Sequence, residues 1–143
     1  MPTRREEVLV ALFNRLQSVP DATVRRNEPL PEKVPLHGLI VLRDGDPGEP
    51  EIVLSPLTYL WTHRAVVEVI VGGATPAARD AALDDLLADI GQILAEERTL
   101  AGWCDHIEAS APDVSAITVE GGTPFKGATI TITLIYATAD PLI

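Results

Sequence analysis

The stretch RAVVEVIVG (Arg64–Gly72), running into GATPAARDAALDDLLADIGQILAEE (Gly73–Glu97), decides the fold. In its first part Ala65, Val67, Val69 and Val71 fall on one side of an extended chain, and Arg64, Val66, Glu68 and Ile70 on the other. The density of β-branched residues favours a strand over a helix. One face is fully apolar and the other mixed, so the second face is expected to be partly covered or to lie near a partner. Gly72-Gly73 ends the strand. Thr75 then stands as a helix N-cap with Pro76 at the first helical position, where its missing N–H costs nothing. Ala82, Leu83, Leu86, Leu87, Ile90, Ile93 and Leu94 make one apolar stripe, and Asp80, Asp84, Asp85 and Asp89 lie largely away from it. The spacing predicts a helix over 76–97 that covers one face of a sheet.

Toward the C-terminus, residues 127–138 alternate cleanly. Ile130, Ile132, Leu134 and Tyr136 share one face; Thr129, Thr131, Thr133 and Ile135 share the other. This reads as a central strand antiparallel to a neighbour. Residues 103–110 read as a strand with Trp103, Asp105, Ile107 and Ala109 opposite Cys104, His106, Glu108 and Ser110, ended by Pro112. Ser115–Glu120 reads as a further short strand, and Gly121-Gly122-Thr123-Pro124 as a turn.

Toward the N-terminus, Thr3 and Glu6 have the spacing of a capping box. Val8, Leu9, Leu12, Phe13 and Leu16 follow at helical spacing, which predicts an amphipathic helix over 4–17. Pro29, Pro31 and Pro35 exclude a long regular element in 22–37, although Thr23–Arg25 can form a short strand. Gly38–Arg43 reads as a short apolar strand, Asp44-Gly45-Asp46-Pro47-Gly48 as a turn, and Glu51–Leu54 as the returning arm of a hairpin. Pro56 is expected to interrupt the chain before Tyr59, Trp61 and His63.

The order helix, strands, helix, strands is not a regular βαβ alternation. It predicts an α+β domain spanning 1–143, with a mostly antiparallel, mixed sheet and two main helices packed on one face. A chain of 143 residues fits one such domain. Aromatic residues are only 4% of the chain, so aliphatic side chains must fill its core. The single cysteine, Cys104, excludes an intramolecular disulfide. Two glutamates, Glu6 and Glu7, follow Arg4-Arg5, so a signal peptide is not expected, and no apolar run approaches a membrane span. The net charge is −10, from 21 acidic against 11 basic residues. That balance argues against a protein that grips nucleic acid phosphates.

Candidate chemistry is sparse. Cys104 and His106 would share a strand face, and a Cys–His pair can activate a thiolate, but catalytic partners usually come from separate segments. His37, His63, Cys104 and His106 could be gathered around zinc, yet only Cys104/His106 has short ligand spacing. The aspartates of the 76–97 helix read as a solvated polar face. Gly72-Gly73 and Gly121-Gly122 lack a phosphate-loop context. Neither a catalytic site, a cofactor nor a metal is therefore expected. Tyr59, Trp61 and Trp103 are half of the six aromatics, and they either plug the core ends or mark an interface.

Several segments together resemble a known family. A first helix runs into Val24-Arg25-Arg26-Asn27-Glu28, Asp44-Gly45 sits in a turn, and Tyr59-Leu60-Trp61-Thr62-His63-Arg64 opens the valine-rich strand. The Ala/Asp/Leu helix is followed by Arg98-Thr99-Leu100-Ala101-Gly102, and the last strand ends Leu134-Ile135-Tyr136-Ala137-Thr138. This layout, over nearly the whole chain, resembles the phage-type tail terminator proteins, the minor tail protein U group found in tailed phages, prophages and gene-transfer particles. The resemblance implies a non-enzymatic subunit of a hexameric ring that caps the tail tube, ends its polymerisation and gives the head a docking surface. It implies as partners other copies of the chain, the tail tube protein and the head–tail connector, with double-stranded DNA passing through the lumen unbound and no membrane. The expected place is the head-proximal end of a virion or phage-like tail, assembled in the bacterial cytoplasm. A heterologous ring needs two different adhesive faces. The candidate contacts are Arg25, Arg26 and Arg64, pairing with a neighbour's acids, the segment Tyr59, Trp61 and His63, and the terminal Leu142 and Ile143. The alternatives are another head–tail joining or tail completion subunit, and a small acyl-transferring enzyme with Cys104 as nucleophile and His106 or His63 as base.

Overall fold

The computed structural model of the chain describes residues 1–31, 33–117 and 124–143. The elements run α1 (Arg4–Leu16), β1 (Thr23–Arg26), β2 (Leu39–Asp46), β3 (Glu51–Val53), β4 (Thr58–Val71), α2 (Pro76–Glu96), β5 (His106–Ala109), β6 (Asp113–Ile117) and β7 (Phe125–Thr138). The fold is α+β, with two helices and a seven-stranded, mostly antiparallel mixed sheet. The sheet order is β1-β2-β4-β7-β5, with β3 on β4 and β6 on β7. β1 and β2 are parallel; every other pairing is antiparallel.

The long pair β4–β7 is the spine. It is in register from Tyr59↔Thr138 to Val71↔Lys126, thirteen consecutive pairs. The apolar alternation read in each strand therefore lands on the same face. Ala65, Val67, Val69 and Val71 of β4 meet Ile130, Ile132, Leu134 and Tyr136 of β7 in one core beneath both helices. α1 contributes Val8, Leu9, Leu12 and Leu16, and α2 contributes Leu83, Leu86, Ile90, Ile93 and Leu94. The helix ends follow their sequence signals. Thr3 accepts the Glu6 N–H at 3.2 Å, and Thr75 accepts the Ala78 N–H at 3.1 Å. Only half of the expected capping box forms at α1, because the Glu6 carboxylate turns to Arg26 instead.

Among the described residues the opposite sheet face carries no helix. Its lower end is closed by a small second cluster of Leu39, Val41 and Ile70, flanked by Val34 and Phe125. On the mixed face of the valine-rich strand Ile70 is buried and Val66 and Glu68 are partly buried. Arg64, Thr129 and Ile135 remain exposed on that face.

Three local expectations are corrected, and that for Pro56 holds. Glu51–Val53 does not return along β2; it pairs with β4, Glu51 opposite Leu60. Pro56 interrupts the chain where expected, in the turn between β3 and β4, and β4 then runs unbroken from Thr58 through Trp61 and His63. Asp44 to Asp46 do not form a turn; β2 continues through them by a register shift between Arg43 and Asp46. Trp103 and Cys104 lie in an irregular loop, and the strand begins only at His106. The final residues of the expected strand Ser115–Glu120, and most of the turn at Gly121–Thr123, lie outside the described residues.

Candidate functional site

The densest polar cluster joins five elements. Arg26 on β1 donates two hydrogen bonds to the Glu6 carboxylate of α1, at 2.7 and 2.9 Å, and a third to Asp44 of β2 at 2.8 Å. The backbone carbonyl of Asp44 lies 2.6 Å from Nε2 of His63 on β4. Nδ1 of His63 lies 2.9 Å from the Tyr136 hydroxyl on β7. A carbonyl oxygen can only accept, so Nε2 carries the proton and donates to Asp44, and the Tyr136 hydroxyl donates to Nδ1. His63 is 1% exposed and held as the neutral imidazole.

The electrostatics follow from that geometry. Burial pushes the His63 imidazole below its ordinary 6.5, against the raising effect of the Asp44 carbonyl. Burial raises the Tyr136 phenol to about 12. Hydrogen bonding from Arg26 holds Glu6 below the usual carboxylate range, and Arg26 itself is held more firmly charged by its two acids. Burial pushes Asp44 up, but hydrogen bonds from Arg26 and Asn27 overcome it and leave it lowered. Among the described residues no buried side-chain nitrogen or oxygen lacks a hydrogen-bond partner. The cluster is thus a saturated internal tie that holds α1, β1, β2, β4 and β7 in place.

That tie has a pH signature. As pH falls through 6.5 the imidazole of the unfolded chain takes up a proton while the folded one does not. The unfolded state then binds more protons, and stability falls. Glu6 and Asp44 add losses in the same direction as pH falls below their ordinary 4.5 and 3.8. The expected result is a chemical-denaturation midpoint lower at about pH 5 than at about pH 7.5, falling further below about pH 4.5. A midpoint that is flat or rises between those two values would contradict the buried neutral histidine.

The residues expected at a subunit interface separate into two groups. Arg26 is engaged inside the subunit, and Trp61, 7% exposed, donates its Nε1–H to Thr138 Oγ1 at 2.9 Å. With His63 these three serve the interior, and their side chains are not offered to a neighbour. Burial is the physical reason: the inward face of β4 includes Trp61 and His63 as well as the valines. Tyr59 is half-buried at the edge of the core. Arg25 is ion-paired locally with Glu28. Arg64, Leu142 and Ile143 are exposed.

The other chemical candidates are also placed. Cys104 is buried, and burial together with the Asp105 carboxylate pushes its thiol up to about 11, which keeps it protonated near neutrality. His106 is exposed at the start of β5. The alternation that would align the two does not apply, because Cys104 precedes the strand. Among the described residues no group of three or more His, Cys, Asp or Glu is placed to hold a metal ion. No described helix is long and apolar enough to cross a membrane.

What sequence reading missed is the exposed apolar surface. The β3–β4 hairpin carries Ile52, 57% exposed, Leu54, 73% exposed, and Leu57, 49% exposed, with Val53 also exposed. These residues read as an ordinary strand and turn, and only the pairing shows that they stand exposed among the described residues. A second apolar feature lies by Gly72 and Phe125, where Val34, Pro35 and Leu36 wall a cavity of about 450 Å³. Trp103 is also exposed, beneath the Arg4 guanidinium at 5.4 Å. No protein-family model matches the chain, and no curated protein matches it.

Proposed function

We propose that the protein is a structural ring subunit of a phage-type tail, capping the tail tube and presenting a docking surface to the head-side connector. The observation that carries this reading is the distribution of exposed apolar surface. Beside scattered exposed residues such as Trp103, Leu142 and Ile143, it is gathered at two separate places, the β3–β4 hairpin and the cavity by Phe125. Exposed apolar surface of this kind marks interaction sites. Two unlike adhesive patches are what a heterologous contact needs, and such contacts close into rings when the rotation allows. The resemblance of the whole layout to tail terminator proteins supplies the kind of ring. The charge of −10 per subunit fits a ring through which DNA passes without adhering, because like charges repel.

The test is assembly on tail tubes. Purified protein mixed with growing tubes of a partner major tail protein should form rings at tube ends, visible by negative-stain electron microscopy, and should stop elongation. Protein that remains monomeric at high concentration and never occupies a tube end would remove the proposal. Rings found only on the head-side connector would favour a different head–tail joining subunit.

A further inference from the structure

We propose that the β3–β4 arm of one copy seats in the apolar groove beside Phe125 of the next copy, so that subunits join head to tail. This specifies the contact within the ring reading given above. The two features sit at opposite ends of the same strand. The arm precedes Thr58 at the start of β4, and the groove borders Gly72 just past its end. Fourteen extended residues separate them by roughly 40 Å. A subunit with its plug at one end and its socket at the other cannot satisfy itself, but a second copy can.

The chemistry of the two ends is complementary. The arm presents Ile52, Val53, Leu54 and Leu57 to solvent. Among the described residues β3 pairs only with β4, on the edge that β2 occupies farther along, which leaves its outer edge open for backbone pairing. The segment from Gly45 to Thr62 contains Asp46, Glu49 and Glu51 and no basic residue, so the arm is acidic around its apolar tip. The groove is walled by Val34, Pro35, Leu36 and Phe125, and the charged residue on its described rim is Lys33. Leu36 is 92% exposed, an unusual state for leucine that a seated arm would relieve. On the other side of Leu36 lies a smaller hollow of about 280 Å³ lined by Asp21, Asp85 and Asp89. Like charge turns the acidic arm away from that hollow and leaves the Lys33 side as its seat.

Site-directed cross-linking tests the contact. Leu54→Cys and Leu36→Cys chains, both changed at exposed positions, are mixed and treated with a short bismaleimide, with and without tail tubes. The native Cys104 is buried and stays out of the reaction. A covalent dimer is expected from the mixture and from neither chain alone. Leu54→Asp should weaken association about tenfold or more while leaving the unfolding midpoint unchanged. Association without the Leu54–Leu36 cross-link, arms joined only to arms, or no association under either condition would each overturn the contact. Tube ends that are capped without the cross-link would remove the arm-in-groove contact and leave the ring reading standing. Cross-linked open chains that never cap a tube would keep the contact and remove the ring reading.

Discussion

Gly45→Ala is expected to lower the stability of the fold by about 3 kcal/mol or more, the sum of a backbone and a steric effect. Gly45 has φ +70°, a region an alanine enters at a cost of about 1–2 kcal/mol. The larger part is steric. A Cβ on Gly45 would fall 1.9 Å from the Arg64 carbonyl oxygen and 2.8 Å from its carbon. Those atoms belong to the backbone of β4, the spine of the sheet, so they cannot swing aside as a flexible side chain would. β2 must move instead, and it must move where its register shift brings Asp44 over His63. For a chain of this length the loss corresponds to a drop in melting temperature of about 10 °C. Gly102→Ala is the control. Its φ is +89°, but no atom lies within 4 Å of the added Cβ, so only the conformational part applies. Thermal unfolding followed by circular dichroism compares the two. Equal losses for both would show that the approach of β2 to Arg64 is not as tight as described.

His63→Leu is expected to destabilise the protein by about 2–4 kcal/mol, although leucine is close in size and better suited to an apolar interior. The reason is what it leaves behind. The Tyr136 hydroxyl loses its acceptor and the Asp44 carbonyl loses its donor, both in a region His63 shares at 1% exposure. A buried hydroxyl and a part-buried carbonyl stripped of partners cost more than the hydrogen bonds contributed. Adding Tyr136→Phe to His63→Leu should recover about 1 kcal/mol, because it removes one of the stranded groups. The pH dependence provides a second readout. His63→Leu removes the titrating imidazole, so the stability loss between about pH 7.5 and pH 5 should shrink while the loss below about pH 4.5 persists through Glu6 and Asp44. A variant that keeps the full slope between those two values would assign the pH dependence to other groups.

Legibility in the sequence followed the length and purity of the pattern. The helix expected over 76–97 is Pro76–Glu96, and that expected over 4–17 is Arg4–Leu16. The strand expected over 127–138 is Phe125–Thr138. Each carries a periodicity long enough to outweigh any single residue. The short elements were harder. Glu51–Val53 has no local mark that distinguishes β2 from β4 as its partner, because register is a property of two strands and the turn between them. Gly45 looked like a turn residue for a sound local reason, since glycine favours positive φ. The same freedom serves a bulge inside a strand, and only the passage of β4 beneath it selects that use.

The apolar stripes, the caps at Thr3 and Thr75 and the alternation in β4 and β7 were sufficient by themselves to determine an α+β fold with both helices on one sheet face. These signals are local, repeated along the chain and mutually consistent. Tertiary structure alone decided the roles of individual side chains. Arg26, Trp61 and His63 read as candidates for contact with a neighbour and are instead held within the chain, by Glu6 and Asp44, by Thr138, and by Asp44 with Tyr136. Ile52, Leu54 and Leu57 read only as part of a hairpin arm and its turn, and they stand in solvent. The physical reason is the same in both cases. Whether a side chain is buried depends on what distant segment comes to lie over it, and that is settled by pairing across the sheet rather than by the residue's own neighbours in the chain.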